Sequence, residues 1–77
     1  MPTIILTDPF NNDYRKLSPA ERKQARKTLH FMAVNPKHNS LKIHRIKGTG
    51  FWEAYVNKDI RVIFEQNSDT LILHAIV

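Results

Sequence analysis

Several side chains in this sequence have the equipment to act on an anion. Arg61 sits in the apolar run Ile60-Arg61-Val62-Ile63-Phe64, and an arginine offers a permanent fork of donors to phosphate or carboxylate oxygens. His44 and His74 are imidazoles, the side chain best suited to exchanging protons near neutrality. Glu53 and Tyr55 add a carboxylate and a phenol two residues apart. The run Arg22, Lys23, Arg26, Lys27 and His30 has the spacing of a basic helix stripe that grips a phosphate backbone or an acidic partner. Each feature also has an ordinary reading. Arg61 can be a strand arginine paired with Glu53 or Glu65, His74 a satisfied strand histidine, and the basic stripe a solvated face. His30, His38 and His44 lack metal-ligand spacing and there is no cysteine, so no metal or other cofactor is expected.

Length and composition limit what can position these groups. The chain has 77 residues, two glycines and four prolines, enough for a single domain over 1–77 with a thin core. Twelve Lys and Arg against seven Asp and Glu give a net charge of +5, which favours nucleic acid or an acidic protein as partner. No apolar run approaches the roughly 20 residues that cross a bilayer. Met1–Leu6 lacks the basic start and long apolar stretch of a secretory signal. A soluble, cytoplasmic protein that does not engage membranes is expected.

The positioning elements follow from periodicity. Thr3–Thr7 reads as a strand, followed by Asp8 as helix N-cap and Pro9 at the first helical position. Phe10, Tyr14 and Leu17 form one stripe of a short helix. Ser18-Pro19-Ala20-Glu21 is a capping box opening a second helix, with Ala25, Leu29, Met32 and Ala33 on its buried side. Pro36 ends that helix near Val34 or Asn35. Leu41–Lys47, Phe51–Asn57, Ile60–Glu65 and Thr70–Val77 read as four strands, with a turn at Gly48-Thr49-Gly50 and an irregularity near Arg45. The expected architecture is α+β: an N-terminal strand, an αα-hairpin, then an antiparallel sheet of about four strands with both helices on one face.

Alternation then assigns the faces. Pairing Asn57 with Arg61 puts Trp52, Ala54, Val56, Val62 and Phe64 under the helices, and this looser turn is preferred over a two-residue turn that mixes the faces. Pairing Glu65 with Thr70 adds Leu71 and Leu73 to that face and sets His74 opposite Arg61. Glu53, Tyr55, Arg61 and His74 then share the uncovered side, joined by His44.

The order of elements, with Asn35-Pro36 closing the second helix, Leu41-Lys42 through Ile46-Lys47-Gly48-Thr49, then Phe51-Trp52-Glu53-Ala54 and Ile60-Arg61-Val62-Ile63-Phe64, resembles the RelE/ParE superfamily of toxins over nearly the whole chain. The resemblance implies the toxin of a type II toxin–antitoxin pair, monomeric alone and held in a heteromeric complex by its cognate antitoxin. RelE-like and YoeB-like members enter the ribosome and cut mRNA without metal, driving the RNA 2′-hydroxyl onto the adjacent phosphate. Carried onto this chain, Arg61 contacts the scissile phosphate and His44 stands where relatives place a base. Lys42, Arg45, Lys47 and Tyr55 line the RNA. Arg22, Lys23, Arg26 and Lys27 contact antitoxin or rRNA. Glu53 and Tyr55 occupy positions that are lysines in some members, which thins the cationic cluster; Glu53 and His74 are then secondary candidates for acid–base work. Many relatives continue past the last strand with a polar tail, so the end at Val77 suggests a shortened chain with weakened nuclease activity that still binds an antitoxin. The alternatives are a ParE-like inhibitor of DNA gyrase and a catalytically degenerate antitoxin-binding relative.

Overall fold

Thr7 sets the first junction of the chain. In the computed structural model, which describes residues 1–77, strand β1 (Thr3–Leu6) leaves the sheet there and helix α1 (Asp8–Arg15) begins. The Thr7 hydroxyl donates to the Leu73 carbonyl at 2.8 Å and accepts the Phe10 amide at 3.4 Å. Thr7, and not Asp8, is therefore the N-cap, because its oxygen alone faces both the sheet and the free amides of the first turn. Helix α2 (Pro19–Val34) opens with the expected capping box, in which the Glu21 amide donates to Ser18 Oγ at 3.1 Å and the Ser18 amide to Glu21 Oε1 at 2.8 Å.

After α2 the chain departs from the expected long strand over Leu41–Lys47. Asn39–Leu41 form a 3₁₀ turn capped by the His38 ring, and Lys42 follows in the left-handed region with φ 45°. That reversal leaves only His44–Arg45 as strand β2. It also buries Leu41 completely and explains why Ile43 and Ile46 break the alternation. Strands β3 (Trp52–Asn57), β4 (Ile60–Asn67) and β5 (Thr70–Ile76) complete the chain.

The four strands after the helices are antiparallel, and β1 adds a fifth by pairing parallel to β5, giving the order β1-β5-β4-β3-β2. Helix α1 lies over β5 and α2 over β3. Beyond Leu6 the edge of β5 has no strand partner, and Asp13 of α1 supplies one by accepting the Ile76 amide at 3.0 Å.

Both hairpins reach the expected faces by a different register. Asn57 pairs with Ile60 across the two-residue Lys58-Asp59 turn, and Val56 is then an extra residue on β3 before Tyr55 pairs with Arg61. The tight turn does not mix the faces, because this bulge absorbs the odd residue. In the second hairpin Asn67 pairs with Thr70 and Phe64 with Leu73; then β5 carries one residue more than β4 before Ile63 pairs with Ala75. Arg61 consequently exchanges both backbone hydrogen bonds with Val77, each 2.9 Å, and does not stand opposite His74.

The core is one cluster: Phe10 and Met32 from the helices, Leu41, and the sheet residues Ala54, Ile60, Val62, Phe64, Leu71, Leu73 and Ile76. Thr28, polar and unassigned in the sequence pattern, is also buried beside it and donates to the Tyr55 carbonyl at 3.2 Å. Only 12 of 77 residues are buried, so each large one carries a big share of the stability. Leu73→Ala should cost about 2–5 kcal/mol and lower the thermal midpoint by roughly 10 °C or more, read by circular dichroism. Ser18→Ala should cost only about 1 kcal/mol.

Candidate functional site

The side of the sheet away from the helices carries the charged residues, because Val62 and Phe64 of β4 are committed to the core and Arg61, Ile63 and Glu65 must point the other way. His44 pairs with Glu53, Glu53 with Ile63, and Tyr55 with Arg61, so three neighbouring strands present these groups together. With Lys42 they line a shallow cavity of about 130 Å³.

Glu53 is the hinge of this cluster. Its side chain is 19% exposed, and Oε1 lies 2.8 Å from His44 Nε2 and 3.7 Å from Arg61 Nε. His44 Nδ1 donates to the Lys42 carbonyl at 3.0 Å. Both imidazole nitrogens thus face acceptors. The arginine is held more loosely. Its side chain is 48% exposed, and its two terminal nitrogens make no hydrogen bond to the protein. An ion pair this long and this open contributes well under about 1 kcal/mol, so an arriving anion can draw the guanidinium away from Glu53. Lys42 and Arg61 outnumber Glu53 in formal charge, and the cavity is net positive before His44 is counted.

Lys42 is placed by strain. A non-glycine residue in the left-handed region costs on the order of 1–2 kcal/mol, and the turn aims its ammonium over the Tyr55 ring at 4.6 Å from the centroid. These two residues also border the larger recesses nearby. Lys42 lines one of about 350 Å³ with Pro36, Lys37, His38, Asn39 and Ile43. Tyr55 lines another of about 280 Å³ with Gln24, Lys27, Thr28, Phe31, Ser40 and Val56.

His74 is not part of this cluster. The bulge directs its Nε2 to Glu65 Oε1 at 2.6 Å, and its ring meets the edge of Phe51 at 5.5 Å between centroids. Arg45 pairs with Trp52, on the helix side, and its Nε donates to the Thr49 carbonyl at 3.3 Å. Lys47 is exposed in the following turn. On α2, Arg22 is engaged by the Leu17 carbonyl at 2.7 Å and Arg26 by the Tyr14 hydroxyl at 2.8 Å, while Lys23 and Lys27 remain unpaired. Among the residues expected at the site, the structure gathers Lys42, His44, Glu53, Tyr55 and Arg61 and leaves the others apart. There is no grouping of three or more His, Asp or Glu side chains able to hold a metal ion, and no helix is long and apolar enough to cross a membrane.

Neither a protein-family model nor a curated protein matches the sequence. Solved structures do match its shape. YafQ from E. coli strain BL21(DE3) superposes with a TM-score of 0.77 at 16% identity, covering 99% of this chain and 91% of that one. RelE in the archaeal RelE–RelB complex from Pyrococcus horikoshii OT3 gives 0.79 at 15% identity, with 97% and 91% covered. The fold is that of the RelE-like toxins. The YoeB–YefM toxin–antitoxin complex from Staphylococcus aureus shares it, with a TM-score of 0.74 at 15% identity over 97% of this chain and 93% of that one. Within this RelE-like frame the strained lysine is the feature most open to test. Lys42→Gly should raise stability by about 1 kcal/mol in urea titrations by relieving the backbone. It should also weaken the protein's affinity for inorganic phosphate, read by chemical-shift changes at His44 and Arg61.

Proposed function

We propose that this chain is the toxin of a type II toxin–antitoxin system and a ribosome-dependent, metal-independent mRNA endonuclease acting in the cytoplasm. The observation that carries the reading is the open cavity in which an anchored carboxylate, an imidazole, a lysine and a half-free arginine meet on the uncovered side of a RelE-like sheet. A cognate antitoxin is the expected partner, since several solved proteins of this fold are toxins bound to one.

In the reaction the RNA 2′-oxygen attacks the adjacent phosphorus. The 2′-O–P bond forms as the P–O5′ bond breaks, leaving a 2′,3′-cyclic phosphate and a 5′-hydroxyl. Arg61 turns its unpaired terminal nitrogens to the non-bridging oxygens, and Lys42 adds a second positive charge where the phosphorane is most negative. The contacts of His44 favour an exchange of the roles that the resemblance implied. His44, with both ring nitrogens turned to acceptors, is the acid that delivers a proton to the departing O5′. Glu53, set between His44 and Arg61, is the base that takes the proton of the 2′-hydroxyl. Tyr55 offers a ring face to a neighbouring base once Lys42 has moved to phosphate.

Arg61→Ala should lower cleavage of ribosome-bound mRNA by about 10²–10³-fold with an unchanged circular dichroism spectrum. Unaltered cleavage would sink the nuclease reading, and growth arrest with intact transcripts and broken DNA would replace it with gyrase inhibition. Growth that continues despite expression, with tight binding to an acidic partner, would identify a degenerate antitoxin binder. The acid and base assignments separate with a substrate whose leaving oxygen is replaced by sulfur, which departs without a proton. That substrate should restore cleavage by His44→Ala and leave Glu53→Gln inactive.

A further inference from the structure

The second cluster on the uncovered face, Phe51, Glu65 and His74, takes no part in the chemistry above. Phe51 is 38% exposed, among the few large apolar side chains left open by the fold. Continuing the Trp52–Phe64 register by one step brings Phe51 opposite Glu65, both on the uncovered face. The β5 bulge then adds His74 to the pair, with its Nε2–H donating to Glu65 Oε1 at 2.6 Å and its ring set at 83° to Phe51. A bulge re-aims a side chain in this way at the expense of one unpaired residue. His74 thereby props both neighbours: it fixes the carboxylate, and it covers one part of the phenyl ring while leaving the remainder open.

We propose that Phe51 and Glu65 form a subsite for a guanine base of single-stranded RNA, with His74 as its positioning residue. Unstacked bases are read by an aromatic face together with groups that match the Watson–Crick edge. Guanine presents two donors on that edge, N1–H and the N2 amino group. An ionised carboxylate has about four acceptor sites, of which His74 uses one here. Adenine presents one donor beside one acceptor, so its N1 would face a carboxylate oxygen with no proton between them. Glu65 lies four residues from Arg61 along the same face of β4, about 13 Å at the rise of a strand. A short RNA strand crosses that distance with its scissile phosphate at the arginine and a flanking base at the phenyl ring. The setting rests on the nuclease reading, but the subsite itself is a base-recognition surface and can be tested without any cleavage.

The test is a titration of the isotopically labelled full chain with guanosine 5′-monophosphate and, separately, adenosine 5′-monophosphate, followed by NMR. The guanine nucleotide should shift the resonances of Phe51, Glu65 and His74 and bind about tenfold more tightly than the adenine nucleotide, in keeping with the usual worth of one matched base contact. Phe51→Ala should abolish the shifts of Glu65 and His74 with both. Glu65→Gln should reverse the preference, because a carboxamide offers one donor and one acceptor to adenine. His74→Ala should reduce the guanine preference and retain the stacking. Equal response to the two nucleotides, no shifts at Phe51, Glu65 and His74, or a preference unchanged in Glu65→Gln would overturn the proposal and leave the ring to a protein partner. Arg61→Ala separates the two readings, since it should lower mRNA cleavage as above and keep the guanine preference. Wild-type protein that prefers guanine and cuts nothing would retain the subsite and remove the nuclease.

Discussion

Strand β4 is hydrogen-bonded on both sides, and each neighbour carries one residue more than β4 can pair. The constraint behind this is burial. Val62 and Phe64 must stay beneath the helices, and a single-residue slip of either ladder would turn them out to solvent and bring Arg61 and Glu65 inward. Placing the surplus residues in bulges on β3 and β5 keeps β4 regular. The polar groups of the outer face inherit their positions from that regularity, since Arg61 and Glu65 are fixed by the same alternation that fixes the core.

The bulges also divide the outer face. Among the residues lining the Arg61 cavity, cations outnumber the single carboxylate, and Arg61 is restrained by a contact weak enough to be exchanged for a ligand. Towards the other end of β4 a carboxylate and an imidazole are matched one to one beside an aromatic ring. Ile63 separates the two groups. One region is therefore suited to charge and the other to shape and hydrogen-bond pattern, the two kinds of contact that nucleic-acid binders separate between backbone and base.

Much of this was legible in the sequence. The capping box, the end of α2 before Pro36, and the alternation of Trp52, Ala54, Val62 and Phe64 each depend on local chemistry and appear in the structure as expected. The grouping of His44, Glu53, Tyr55 and Arg61 followed from the same alternation. What failed was register. Leu71, Leu73 and Ile76 are buried at spacings of two and then three, and this broken period was the available sign of a bulge at His74. The 3₁₀ turn at Asn39–Leu41 left a weaker sign, because a positive φ at a lysine is dictated by the packing of Leu41 and not by the residue itself. The pairing of β1 with β5 is a contact across more than sixty residues of chain, and strand propensity carries no information about it.

Lys42 and Tyr55 between them border all three recesses on this part of the molecule. Lys42 is shared by the recess at the Pro36 loop and the cavity at Arg61, and its ammonium rests on the Tyr55 ring by an attraction of about 1 kcal/mol at an open site. An attraction that small yields to an anion arriving in either hollow, so one flexible side chain can serve both.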